Sequence, residues 1–108
     1  MSVTIAAGSE IRKDPSDVLR LTVTWEDYFD AGVVLVGVGT FTVTAVRPTG
    51  APITLLVTDK VLQPNFLEVD FTVSAGTAGI LYRITQLVTT NDAQIRERAI
   101  VDVRVSDI

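Results

Sequence analysis

The chain contains neither cysteine nor histidine. Thiol nucleophiles, disulfides, zinc fingers, histidine-ligated haem and imidazole proton relays are therefore all excluded. Basic residues are also scarce: nine Lys and Arg stand against thirteen Asp and Glu, giving a net charge of -4 and a pI near 4.6. That sign is wrong for a domain that binds by neutralising phosphates, so no nucleic-acid partner is expected. No apolar run approaches the roughly 18 to 20 residues needed to cross a bilayer, because Thr, Gly or a charge interrupts each one, and no membrane partner is expected. Met1 to Ser9 lacks the basic start, long apolar middle and cleavage site of a secretory signal, so export by that route is not expected.

What is present in quantity is β-branched. The 108 residues include 17 Val, 8 Ile and 14 Thr, the types that suit a pleated surface and are penalised on helices. Alternation gives the local evidence. Leu19, Leu21, Val23 and Trp25 alternate with Arg20, Thr22 and Thr24, the period-two pattern of a strand with one buried face. Phe41, Val43 and Ala45 repeat the pattern, as do Leu67, Val69, Phe71 and Val73, and then Val101, Val103 and Val105. Tyr82, Ile84, Gln86 and Val88 form another inward row with a polar defect at Gln86. Turn signals separate these runs, at Lys13-Asp14-Pro15, Asp30-Ala31-Gly32, Arg47 to Pro52, Gln63-Pro64-Asn65, Ala75 to Gly79 and Thr90-Asn91-Asp92.

The pattern predicts about seven strands, near 18–25, 33–38, 40–46, 53–58, 66–74, 80–89 and 95–105, with a single helical turn at Trp25 to Phe29. This is the strand count of an all-β, immunoglobulin or fibronectin type III-like antiparallel β-sandwich. Two features sharpen it. Tyr82 follows a Gly-Thr-Ala-Gly corner and precedes Ile84 by two residues, the spacing of a corner tyrosine. Leu21 to Trp25 resembles the second strand of fibronectin type III modules. Leu21, Val23, Trp25, Phe41, Val43, Val69, Phe71, Tyr82, Ile84 and Val103 are the expected core. Length and composition fit one sandwich domain over 10–108, preceded by an arm or edge strand over 1–9.

Candidate chemistry is sparse. Asp14 and Asp17 flank Pro15, and Glu26, Asp27 and Asp30 cluster around one turn, but neither group has the spacing of a calcium loop, and both suit solvated turns. Gly76 to Gly79 lacks the Lys-Ser/Thr and following helix of a phosphate loop. The chain is therefore expected to be no enzyme, with no cofactor, no metal and no small-molecule substrate. More informative are apolar residues at positions that a one-sided strand leaves polar: Leu35, Leu56, Leu81 and Leu87, with Arg96 and Arg98 on a polar strand face. Together with Val3 and Ile5 of the uncharged N-terminal segment, these are the expected interface, since monomers rarely expose large apolar patches and arginine is enriched at interfaces. The N-terminal segment has two readings, a strand added to a neighbour's sheet or one paired within its own domain.

Taken in order, Ser9 to Leu19 with Lys13-Asp14-Pro15, then Val23-Thr24-Trp25-Glu26-Asp27-Tyr28-Phe29-Asp30-Ala31-Gly32, then Thr72 to Thr85 with its Gly76-Thr77-Ala78-Gly79 corner and Tyr82, and Glu97-Arg98 before the last strand, resemble the fiber-tail adaptor family of tailed bacteriophages. The match spans roughly residues 8 to 105. The chain departs from the family's pattern at Ala75-Gly76 and at Ala93, where the family commonly has glycine, and the stretch from Gly37 to Pro64 matches poorly. The resemblance implies a non-enzymatic virion protein, assembled in the bacterial cytoplasm, that joins tail and fiber by docking on other virion proteins. A multi-copy homo-oligomer is also expected, because several apolar residues at polar positions suggest contact with another subunit. A capsid decoration protein and a glycan- or receptor-binding module are the rival readings, and only Tyr28 is left as a stacking platform for a sugar.

Overall fold

A computed structural model describes residues 2–5 (backbone only), 10–26 and 28–106. Within it, eight strands run in the order β1 (Ser2–Ile5), β2 (Glu10–Lys13), β3 (Leu19–Thr24), β4 (Thr40–Arg47), β5 (Leu55–Leu62), β6 (Glu68–Ala75), β7 (Leu81–Thr89) and β8 (Arg96–Val105). They form two four-stranded sheets, a first of order β1-β3-β6-β5 and a second of order β2-β8-β7-β4. The chain is all-β, and the two sheets make a sandwich. Its inward rows come from the alternating runs: Leu21, Val23, Leu55, Val69, Phe71 and Val73 from the first sheet, and Tyr82, Ile84, Val88, Ala99, Val101, Val103 and Val105 from the second. Phe41 and Val43 are half-buried and pack against this core from the edge strand β4, and the Phe41 ring meets Phe71 across the sheets at 5.1 Å.

Two expectations change. The pairing is not wholly antiparallel: β1 runs parallel to β3, with Val3 in register with Leu21 and Ile5 with Val23, and β2 runs parallel to β8. Residues 2–5 thus pair within their own domain, while the side chains of Val3 and Ile5 lie outside the described residues. Residues 33–38 form no strand. Their backbone turns through positive φ at Gly37 and Gly39, which an extended strand does not allow. A Cβ on Gly39 would stand 2.5 Å from the carbonyl oxygen of Leu87, so the chain enters β4 through a gap that only glycine fits. The segment instead closes one end of the sandwich. Leu35 N–H donates to Phe66 O of the β5–β6 turn at 2.8 Å, and Val36 N–H donates to Thr89 O of β7 at 3.0 Å, so adjacent amides bridge the two sheets. The Gln86 amide, the polar defect in its row, is buried and donates to Val38 O at 2.9 Å. The turn expected at Trp25 to Phe29 includes Asp27, which lies outside the described residues; Tyr28 N–H donates to Trp25 O at 3.0 Å.

The other end is closed by the corner between β6 and β7, where the chain passes from the first sheet to the second. The Tyr82 hydroxyl accepts the Thr77 N–H at 3.0 Å and lies 2.8 Å from the Thr54 hydroxyl, which is itself 2.8 Å from that of Thr77. This is the corner that the Tyr82 spacing predicts. Lys13, at the end of β2, is fully buried, and its ammonium donates to the carbonyls of Ala75 at 2.6 Å, Asp14 at 2.8 Å and Pro15 at 3.3 Å. A cation thus ties the second sheet to the last residue of β6, with three acceptors for its three donors.

Two outcomes follow for stability. Tyr82→Phe keeps the ring and leaves the Thr77 amide without its acceptor, and should cost about 1 to 2 kcal/mol in urea unfolding. Burial lowers the Lys13 pKa below 10.5, against the opposing pull of Asp17 and Asp14. A base whose folded pKa is depressed binds fewer protons folded than unfolded between the two values, so its contribution to stability increases as pH rises through that window. The unfolding free energy of the wild type, measured relative to Lys13→Met, should therefore improve as pH rises toward 10.5. A flat or falling difference would refute this account.

Candidate docking face

In the second sheet the residues that alternate away from the core form rows fixed by strand register. Thr89 stands beside Arg96; Thr40 beside Leu87 and Arg98; Thr42 beside Thr85 and Ile100; Thr44 beside Arg83, Asp102 and Glu10; and, past a bulge in β4, Arg47 beside Leu81, Arg104 and Arg12. Antiparallel neighbours on one face have Cβ atoms about 4.5 to 5.5 Å apart, so each row is a line of adjoining side chains.

The rows divide into two zones. In the lower zone Arg83 Nε donates to Asp102 at 2.9 Å, which raises the Arg83 pKa through that hydrogen bond and the carboxylate charge, and Arg104 pairs with Glu10 at 3.4 Å. These pairs are largely solvated and orient side chains more than they stabilise the fold. Among the described residues the upper zone has no carboxylate. Leu87 is 39% exposed and Ile100 is half-buried, with Arg96 and Arg98 exposed beside them in a field of Thr40, Thr42, Thr85 and Thr89. Neither Arg96 nor Arg98 has an ion-pair partner among the described residues.

Of the residues expected at an interface, the structure brings Leu87, Arg96 and Arg98 together here. Leu56 is exposed on the opposite side of the molecule, on the outer face of the first sheet, which also carries Val61 and, just before β3, Val18. Leu35 and Leu81 do not belong to a free surface. Leu35 is 2% exposed because it plugs the end of the sandwich, and Leu81 is 7% exposed, in register between Arg47 and Arg104 next to the β6–β7 corner. Sequence reasoning missed Ile100 and Arg12 as members of the face. Ile100 carried a signal, an apolar residue at an even position of a strand otherwise polar there, whereas Arg12 arrives only through the parallel pairing of β2.

The carboxylates of the turn at Asp14 to Asp17 accept hydrogen bonds from within that turn. Asp14 Oδ1 accepts from Ser16 N–H at 2.9 Å and Ser16 Oγ at 2.7 Å, and Asp17 accepts the Asp14 N–H at 3.1 Å. Among the described residues no group of three or more Asp or Glu is placed to hold a metal ion; Asp27 lies outside them. Tyr28 packs edge-on against Trp25 and Phe29, both at 5.3 Å, and its hydroxyl donates to Glu97, which raises the phenol pKa through that bond and the carboxylate charge.

Fold and face define an all-β sandwich domain whose distinctive exposed chemistry lies on one sheet. The solution structure of Amebosin shares this fold, with a TM-score of 0.53 over 98% of this chain and 99% of that one at 8% sequence identity. Comparison with curated proteins returns no match. A family model described as podophage GP4 fiber-tail adaptor protein gp77 matches residues 13–101, most of the chain. The chain belongs to this family of phage tail structural proteins, as the motifs from Lys13 to Glu97 imply.

Exposure separates the leucines experimentally. Leu35→Asp buries an unpaired charge and should cost on the order of 3 kcal/mol or more, while Leu87→Asp should cost no more than about 1 kcal/mol. Equal losses in thermal or urea unfolding would overturn the assignment of Leu35 to the core and Leu87 to the face.

Proposed function

We propose that the chain is a non-enzymatic joint between tail and fiber in the virion of a tailed phage, present in several copies and docking on other virion proteins. The observation that carries this reading is the upper zone of the second sheet, where Leu87 and Ile100 stand among Arg96, Arg98 and four threonines with no neutralising carboxylate among the described residues. An apolar centre in an arginine-bearing polar surround is the anatomy of a protein interface. A joint also needs a second contact, and Leu56, Val61 and Val18 on the outer face of the first sheet supply one on the far side of the molecule. The corner tyrosine supports reading the sandwich as immunoglobulin-like, a rigid block that holds the two contact surfaces at a fixed separation.

Copy number in gradient-purified particles, measured by quantitative mass spectrometry against portal and major capsid proteins, tests the reading. A low count in simple ratio to the portal is the expected result. A count matching the capsid lattice would make the chain a decoration protein, and absence from particles would end the virion reading.

A further inference from the structure

We propose that the outer face of the second sheet recognises a carboxylate-rich surface on a different protein, with Arg96 and Arg98 as the pairing groups and Leu87 and Ile100 as the apolar contact beside them. The proposal rests on the virion reading above and adds the chemistry of the partner.

The argument starts from where the chain keeps its cations. Of nine basic residues, six (Arg12, Arg47, Arg83, Arg96, Arg98 and Arg104) stand on this face by register and alternation. The other three are committed elsewhere: Lys13 is buried on three carbonyls, Arg20 donates to Asp59 O at 2.6 Å and to Thr72 at 3.0 Å, and the Lys60 ammonium lies 5.2 Å from the centre of the Phe41 ring. Only Glu10 and Asp102 face the six arginines among the described residues, and both are used by Arg104 and Arg83. A chain of net charge -4 thus concentrates its unneutralised positive charge on one sheet face.

Such a face attracts anions, and its details choose among them. Arg83 shows the geometry in miniature, placing Nε at 2.9 Å and Nη2 at 3.3 Å from the two oxygens of Asp102, the paired contact that a guanidinium makes with a carboxylate. Leu87 and Ile100 at the centre give no benefit to a hydrated phosphate backbone but add burial against a protein surface. A second copy in two-fold contact through the same face would set like charges against each other, and among the described residues the strands of the first sheet carry only three carboxylates: Asp70, which accepts from Thr22 and Gln63, Glu68, which accepts from Asn65, and Asp59, too few to match the arginines in a head-to-tail contact. A separate acidic protein satisfies all of these conditions.

The test uses purified particles that carry variant chains. Arg96→Glu with Arg98→Glu should lower the copies per particle at least tenfold, with unfolding unchanged because neither side chain has an ion-pair partner among the described residues. In parallel, particles carrying Arg98→Lys are treated with a carbodiimide, which joins an amine to a carboxylate that it touches. Mass spectrometry should then find the amine introduced at position 98 joined to an Asp or Glu of another virion protein. Wild-type copy number in the charge-reversed variant would overturn the proposal while leaving the virion reading intact. So would a cross-link from that amine to a second copy of this chain, or retention of the purified chain on duplex DNA that Arg98→Glu abolishes. Absence of the wild-type chain from particles would instead overturn the virion reading and this proposal with it.

Discussion

The corner from Ala75 to Gly79 is the constraint on which the rest of the molecule depends. There the chain leaves the first sheet and enters the second, and with no cysteine available no disulfide cross-links the two. Polar contacts and close packing do this instead. Lys13 holds the Ala75 carbonyl, Tyr82 holds the Thr77 amide, and Gly79 N–H donates to Val105 O at 2.9 Å. At Gly76 a side chain would meet Val105 at 2.9 Å and Leu55 at 3.0 Å, so a residue of each sheet closes over a bare backbone. A disulfide typically contributes about 2 to 4 kcal/mol. Several net hydrogen bonds of about 1 kcal/mol each, one of them charge-assisted, reach the same range.

This corner also sets the register of β7. Tyr82 is pinned inward by its hydroxyl, so Ile84, Gln86 and Val88 follow it into the core while Arg83, Thr85 and Leu87 point outward. A slip of one residue would exchange the two sets and turn the docking face into the core. The far end of β7 is fixed independently, because Val36 N–H binds Thr89 O and the Asn91 side chain accepts the Val34 N–H and donates to Gly32 O, at 3.0, 3.0 and 2.9 Å. The face is therefore held at both ends by parts of the chain that do not belong to it, and so it is rigid before any partner arrives, which lowers the ordering cost of docking.

The sequence showed β3, β4, β6, β7 and β8 because each has one buried face, and alternation reports that directly. For β1 it left a strand paired within its own domain as one of two readings, and it did not show β2; both have four residues and pair in parallel with their partners, a relation that no local pattern encodes. Val33 to Val38 misled for a related reason: its apolar residues plug the end of a sandwich, and burial there imposes no period. Leu81 shows another limit. Alternation says to which side a residue points and is silent on what covers it. On the candidate face, Leu87 was legible as a departure from a plain solvated strand, and Arg96 and Arg98 as residues of a polar strand face that suit an interface rim. Their adjacency was not, since it depends on the turn at Asn91 and Asp92 and the register that it sets.

The identity of the cations on that face carries its own argument. The chain has seven arginines and two lysines, and six of the seven arginines are on the outer face of the second sheet while neither lysine is. Were the face only a solvated surface kept soluble by charge, lysine would serve equally well. Arginine differs in being less strongly hydrated and in presenting a planar fork, properties that matter when the group leaves water for a fixed partner. Threonine between them is also telling: it suits the strand, holds little conformational freedom to lose, and keeps a hydroxyl ready for a polar partner. A sheet spaces its strands at about 4.8 Å, so the guanidinium groups are offered from a nearly fixed lattice of Cβ positions. Such an array gains most from an equally rigid surface whose charges match it, the condition met when one folded protein docks on another.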